Sequence, residues 1–133
     1  MKKIFKGTLV LSVVIVILLL TFQDSAGTVR LSESFRLWLD GIGIHSDFHS
    51  IRSNAHLVIY FILGVVLGIF GKEVGWKWWV ALLIGFGIGL IDESLRILLP
   101  TREFEVIDLY KDWIGIVIGV LVIWITNTVR KRE

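Results

Sequence analysis

Four long apolar stretches, separated by polar segments of unequal length, dominate the pattern along this chain. The first runs from about Ile4 to Phe22 and carries no charge between Gly7 and Gln23. The second covers about Ala55 to Gly71, interrupted only by His56 at its start. The third begins near Trp76, is apolar from Trp78 to Ile91, and then meets Asp92 and Glu93. It is expected to continue as helix to Leu99, because Pro100 is the natural stop. The fourth runs from about Ile107 to Thr128, with Lys111 and Asp112 in its first turns. About 20 residues of helix cross the hydrocarbon core of a bilayer. The pattern therefore predicts an all-α membrane protein with four transmembrane helices, about 4–22, 55–71, 76–99 and 107–128, in a single domain over 1–133.

The segment between the first two stretches, about Gln23 to Asn54, is more than a linker. Leu31, Phe35, Trp38, Leu39 and Ile42 share one helical face, and Glu33, Arg36 and Asp40 lie off it. This predicts a short interfacial helix in the first outer loop. A lid packed on the bundle is the competing reading. The N-terminal stretch also competes as a cleaved signal peptide, with Lys2, Lys3 and Lys6 as its basic region. Its apolar run exceeds the usual length of about 7–15 residues, and Ser25-Ala26-Gly27 is only a fair cleavage site, so a retained anchor is expected.

Charge then orients the spans. With the N-terminus inside, Lys2, Lys3, Lys6, Lys72, Lys77, Arg130, Lys131 and Arg132 face the cytoplasm, accompanied only by Glu73 and Glu133. The inner side is net +6 and the outer side net −4, as the positive-inside rule requires. Both termini are thus expected in the cytoplasm of a multi-pass cell-membrane protein. Composition agrees: 55% of the 133 residues are hydrophobic, above the 45–50% or so of average usage. The absence of cysteine excludes disulfides, thiolate metal sites, a lipoprotein anchor and a catalytic thiol. A net charge of +2, spread over the termini and one loop, does not point to nucleic acid.

Small residues line three of the predicted spans. His56, Tyr60, Gly64, Gly68 and Gly71 share a face of the second, Gly85, Gly89, Asp92 and Arg96 of the third, and Asp108, Asp112, Gly115 and Gly119 of the fourth. Helices in lipid associate through such faces. If these three meet, the polar residues at their outer ends converge. Ionisable groups inside a bilayer disfavour insertion by about 2.5–3.5 kcal/mol each, so a cluster of them is a functional-site candidate. Singly, each has a plainer explanation: a helix-end histidine, a local Asp92–Arg96 ion pair, or headgroup-level flanking charges at Asp108, Lys111 and Asp112.

The segment IRSNAHLVIYFILG, ending at Gly64, resembles the Arg…Ala-His…Tyr-x-x-Leu-Gly signature of the VanZ-like family. The run DESLRILLPTREFEVIDLYKDWIGIVIG, from Asp92 to Gly119, resembles its second signature through Asp92, Glu93, Pro100, Arg102, Asp108, Asp112, Gly115 and Gly119. Arg96 stands where the family often has Gln, and Thr101 where Gly usually precedes the Arg. The resemblance implies a bacterial envelope membrane protein whose founding relative contributes to resistance to the glycopeptide teicoplanin.

In that setting the cluster is expected to act on or bind an anionic cell-envelope lipid or cell-wall precursor. His56 is the candidate general acid or base, and Asp92 or Glu93 would orient it or share the proton. Arg52 and Arg102 would grip phosphate or carboxylate bidentately, with Tyr60, Asp108 and Asp112 lining the same place. No G-x-S-x-G, H-E-x-x-H or phosphate-loop motif is present, so an enzyme and a non-catalytic binding, transport or structural module both stay open. No cofactor is expected. Hard-cation binding by the acids is set aside because of the neighbouring arginines, and no metal ligand is assigned. Membrane lipids, and a lipid-linked or cell-wall precursor, are the expected partners.

Overall fold

A long apolar run must satisfy its own backbone N–H and C=O groups, and a helix does so within one segment. The computed structural model describes the backbone of residues 2–22, 25–45, 48–98 and 105–130. The side chains of 2–3, 6, 20–22, 25–29, 31–32 and 48–53 fall outside that description. Its helices are α1 (Lys2–Phe22), α2 (Ser25–Gly41), α3 (Phe48–Val74), α4 (Trp78–Arg96) and α5 (Val106–Arg130). No strand occurs among the described residues.

The all-α expectation is met, with shifted boundaries. α3 begins at Phe48 rather than near Ala55, because helical hydrogen bonding continues through the polar residues that precede the apolar run. α4 stops at Arg96 rather than Leu99. There Ile97 and Leu98 donate to Ser94 and Leu95 at 3.2 and 3.1 Å, the i→i−3 pattern that tightens a last turn. α3 ends in a Schellman motif: Trp76 N–H donates to Gly71 O (2.7 Å), Gly75 N–H to Lys72 O (3.4 Å), and Gly75 has φ +80°. This reversal turns the chain straight into α4.

The tightest packing is between α3 and α5. A Cβ built on Gly115 would lie 2.6 Å from Leu57 O and 2.9 Å from Phe61 N, and one on Gly119 would strike Phe61 O and Val65 N. Backbone thus meets backbone, as small-residue faces permit. α4 joins them through Gly85, which faces Ile116 and Leu67. Tyr60, Leu63, Leu67, Ala81, Ile116, Val120 and Ile17 form the core. α1 packs on α3 and α4.

Outside this core the molecule is turned inside out. Ile107, Leu83 and Ile125 are 60–67% exposed, whereas Asp92, Glu93, Arg96, Asp108 and Asp112 are at most 5% exposed. A surface apolar on so many helices is foreign to a water-soluble monomer. Among the described residues, Asn54–Val74 and Trp78–Arg96 are long and apolar enough to cross a membrane, and Gly7–Leu19 is a shorter apolar helix. Two of the four expected spans therefore meet that criterion. The helix expected in the first outer loop is present as α2. Its Phe35, Trp38 and Ile42 are exposed rather than packed on the bundle, and Phe35 stacks on Trp38. On its other side Arg36 pairs with Glu33 and Asp40. The hydrogen bond from Arg36 holds the Glu33 carboxyl below its ordinary range.

Candidate functional site

The stripes that pack the helices also place the polar groups. On α4 the buried residues are Ala81, Gly85, Gly89, Asp92, Glu93 and Arg96. On α5 they include Asp108, Asp112, Gly115 and Gly119. One helical face thus carries small residues along its length and charged ones at its end. The α3–α5 approach at Gly115 lies directly beside Leu57 and Tyr60, so His56 is brought next to Asp112.

Arg96 is the hub. Its Nη1 lies 3.4 Å from Asp108 Oδ2 and 3.4 Å from Glu93 Oε2. Its Nη2 lies 3.5 Å from Asp92 Oδ2, 3.0 Å from His56 Nε2 and 3.3 Å from His56 Nδ1. Tyr60, buried and ring-stacked on His56, donates its hydroxyl to Asp92 Oδ2 at 2.8 Å. Glu93 Oε1 accepts the Glu105 N–H at 2.9 Å, tying the end of α4 to the start of α5. His56 Nδ1 faces Asp112 Oδ1 at 3.4 Å. That is close enough for charge attraction, yet neither Asp112 oxygen accepts a hydrogen bond among the described residues.

A guanidinium only donates, so any hydrogen bond from Arg96 to the ring needs a lone pair on the contacted nitrogen. Nε2 is the nearer one and Asp112 faces Nδ1. A ring proton on Nδ1 would face the Asp112 carboxylate and leave Nε2 to accept from Arg96. In this arrangement His56 bridges a donor and an acceptor. Its side chain is 16% exposed while that of Asp112 is at 0%, so the imidazole is the more accessible of the two.

The structure brings together six of the residues singled out from sequence: His56, Tyr60, Asp92, Glu93, Asp108 and Asp112. The side chain of Arg52, and all of Arg102, lie outside the described residues. Arg96 was read as a face residue and a local partner of Asp92, not as part of the site. Its spacing of three from Glu93 and four from Asp92 was the available signal. Chemically, the cluster can hold a proton or a cation. His56, Asp92 and Asp112 each offer one ligand atom, all within 4.8 Å of one another.

No curated protein and no solved structure gives a match to this chain. A family model described as VanZ/LLP1 matches residues 5–127 of the 133, which takes in every helix carrying the cluster. Inside-out surface, span-length apolar helices and family point the same way, to a membrane protein, and the chain belongs to the VanZ/LLP1 family.

Proposed function

We propose that this protein is a four-span bacterial cell-membrane protein whose polar cluster opens at the outer face. There it binds or acts on an anionic cell-envelope lipid or cell-wall precursor, in a role linked to glycopeptide (teicoplanin) resistance. The observation that carries this reading is His56, held between Arg96 and Asp112 in an otherwise apolar bundle. Burying four carboxylates, a guanidinium and an imidazole is unfavourable for a bundle that needs only packing. His56 is the proton-transfer group, Asp92 and Glu93 set the field around it, and Tyr60 fixes Asp92. Arg52 and Arg102 are placed by their sequence positions, one turn before His56 and between α4 and α5, to meet the ligand's anionic group.

α1, α3, α4 and α5, with 21, 27, 19 and 25 residues, are each near or above the length of about 20 that spans a bilayer. Exposed Trp78 and Trp79 at the opposite end suit the headgroup level of the inner leaflet. The charge division puts both termini in the cytoplasm. α2, with its exposed aromatic face, lies in the outer interface. A purely structural reading draws on Arg96, which ties three acids to α4 and α5.

The deciding experiment is lipid and cell-wall precursor profiling of a deletion strain complemented with wild type or His56→Gln at matched membrane levels. Wild type restores the profile and the glycopeptide response, and His56→Gln does not. Full restoration by His56→Gln would leave the structural reading in place of this one.

A further inference from the structure

We infer that His56, Asp92 and Asp112 form a binding site for one divalent cation of the first transition row, within the site whose function is proposed above. Three observations carry it. First, one imidazole and two carboxylates present ligand atoms within 4.8 Å of one another. With bonds of about 2.0–2.2 Å, two ligands of one ion stand no more than about 4.4 Å apart, so a modest closing of these side chains brings all three onto it. Second, Asp112 is fully buried, and neither of its oxygens accepts a hydrogen bond among the described residues. A buried carboxylate left this way is strongly disfavoured unless it meets a positive charge. Third, the buried polar residues among those described are four acids and one guanidinium, so acidic groups outnumber the buried cation there.

Arg96 Nη2, 3.0 Å from His56 Nε2 and 3.5 Å from Asp92 Oδ2, faces two of the three ligands and has to turn away for the ion to enter. Its Nη1 is shared between Glu93 and Asp108, which are enough to hold the guanidinium when Nη2 gives up His56. Asp92 and Asp112 stand beside the imidazole, and as ionised ligands they would contribute two negative charges. Their sum matches a divalent cation. Tyr60, bonded to Asp92 Oδ2, is the outer hydrogen bond that orients a ligating carboxylate. Imidazole with carboxylates suits zinc, manganese or iron rather than magnesium or calcium, which favour all-oxygen sets. Three protein ligands leave open positions on the metal, so the cation would add a contact for the ligand's anionic group to those of Arg52 and Arg102.

The test uses the full chain, purified in detergent, stripped with a chelator and titrated with Mn²⁺ or Zn²⁺. One ion should bind per chain and raise the thermal unfolding midpoint. Asp112→Asn and His56→Gln should each weaken binding at least about tenfold, Asp112→Glu should retain more affinity than Asp112→Asn, and Glu33→Gln on α2 should be unchanged. Absence of saturable binding by the wild type, or wild-type affinity in both site variants, overturns the assignment. If Asp112→Asn does not insert, His56→Gln and the metal-dependent midpoint of the wild type decide. Binding is read without any envelope assay. An ion that binds while His56→Gln still complements would sink the proposed function and leave this site standing, and the reverse pattern would do the opposite.

Discussion

Lys72, near the end of α3, lies 4.7 Å from the centre of the Trp124 ring and donates to Ile123 O at 2.9 Å. At the other end of the same bundle, Arg96 faces Asp92, Glu93, Asp108 and His56, and Asp112 stands behind them without a hydrogen bond among the described residues. Both ends hold charge against apolar helices, but in different ways. Lys72 is half-buried, and α5 meets it with a carbonyl and a π face, which is how an anchoring side chain is accommodated. The cluster end needs three helices to assemble and, among the described residues, buries four acids beside one guanidinium. Local accommodation marks the first as structural. The gathering of acids from two helices around one arginine is what the proposed ligand site rests on at the second.

The sharpest way to break this comparison is Arg96→Gln. Removing the guanidinium strands carboxylates in a dry place, and breaking such buried pairs destabilises by about 3–5 kcal/mol. Thermal unfolding in detergent with chelator present should show a large drop, or no folded protein at all. A drop no greater than that of a surface variant would mean that the acids are neutralised elsewhere. Next in size is Gly115→Leu, which pushes α3 from α5 at Leu57 and Phe61 and should cost about 1–3 kcal/mol or more. Leu83→Ile, at an exposed position, is its control and should stay within about 0.5 kcal/mol. Because Gly115 sits beside the cluster, its variant should also lose metal binding, while Leu83→Ile keeps it. Smallest among the charged positions is Lys72→Met. It gives up a carbonyl hydrogen bond and a ring contact together worth about 1 kcal/mol, and the envelope phenotype and metal binding should be untouched. A lost phenotype there would make the two ends functionally alike.

Much of the cluster was legible because the i, i+3, i+4 spacing that lines up Gly85, Gly89, Asp92 and Arg96 is a property of any helix. His56 and Tyr60 were placed the same way. The central role of Arg96 was not legible. Spacing ties it to Asp92 and Glu93, but its contacts with Asp108 and His56 come from α5 and α3. Helix ends were misjudged for a related reason. Hydropathy marks where a segment is apolar, not where backbone hydrogen bonding stops, so α3 extends back to Phe48 and α4 finishes at Arg96. The aromatic face of α2 was visible, but only the structure decided between an exposed interfacial helix and a lid packed on the bundle.

By itself, then, the sequence determined what is local and periodic: apolar helices, faces of small residues, and charged groups at one end of each face. Tertiary structure decided which of those groups share a space. Gly115 and Gly119 let the α3 and α5 backbones touch, and that approach sets His56 3.4 Å from Asp112 and leaves the Asp112 carboxylate buried without a hydrogen bond among the described residues. Helical periodicity fixes the direction of a side chain from its own neighbours in sequence. The balance of charge in a buried cluster depends on distances between helices, which only packing sets.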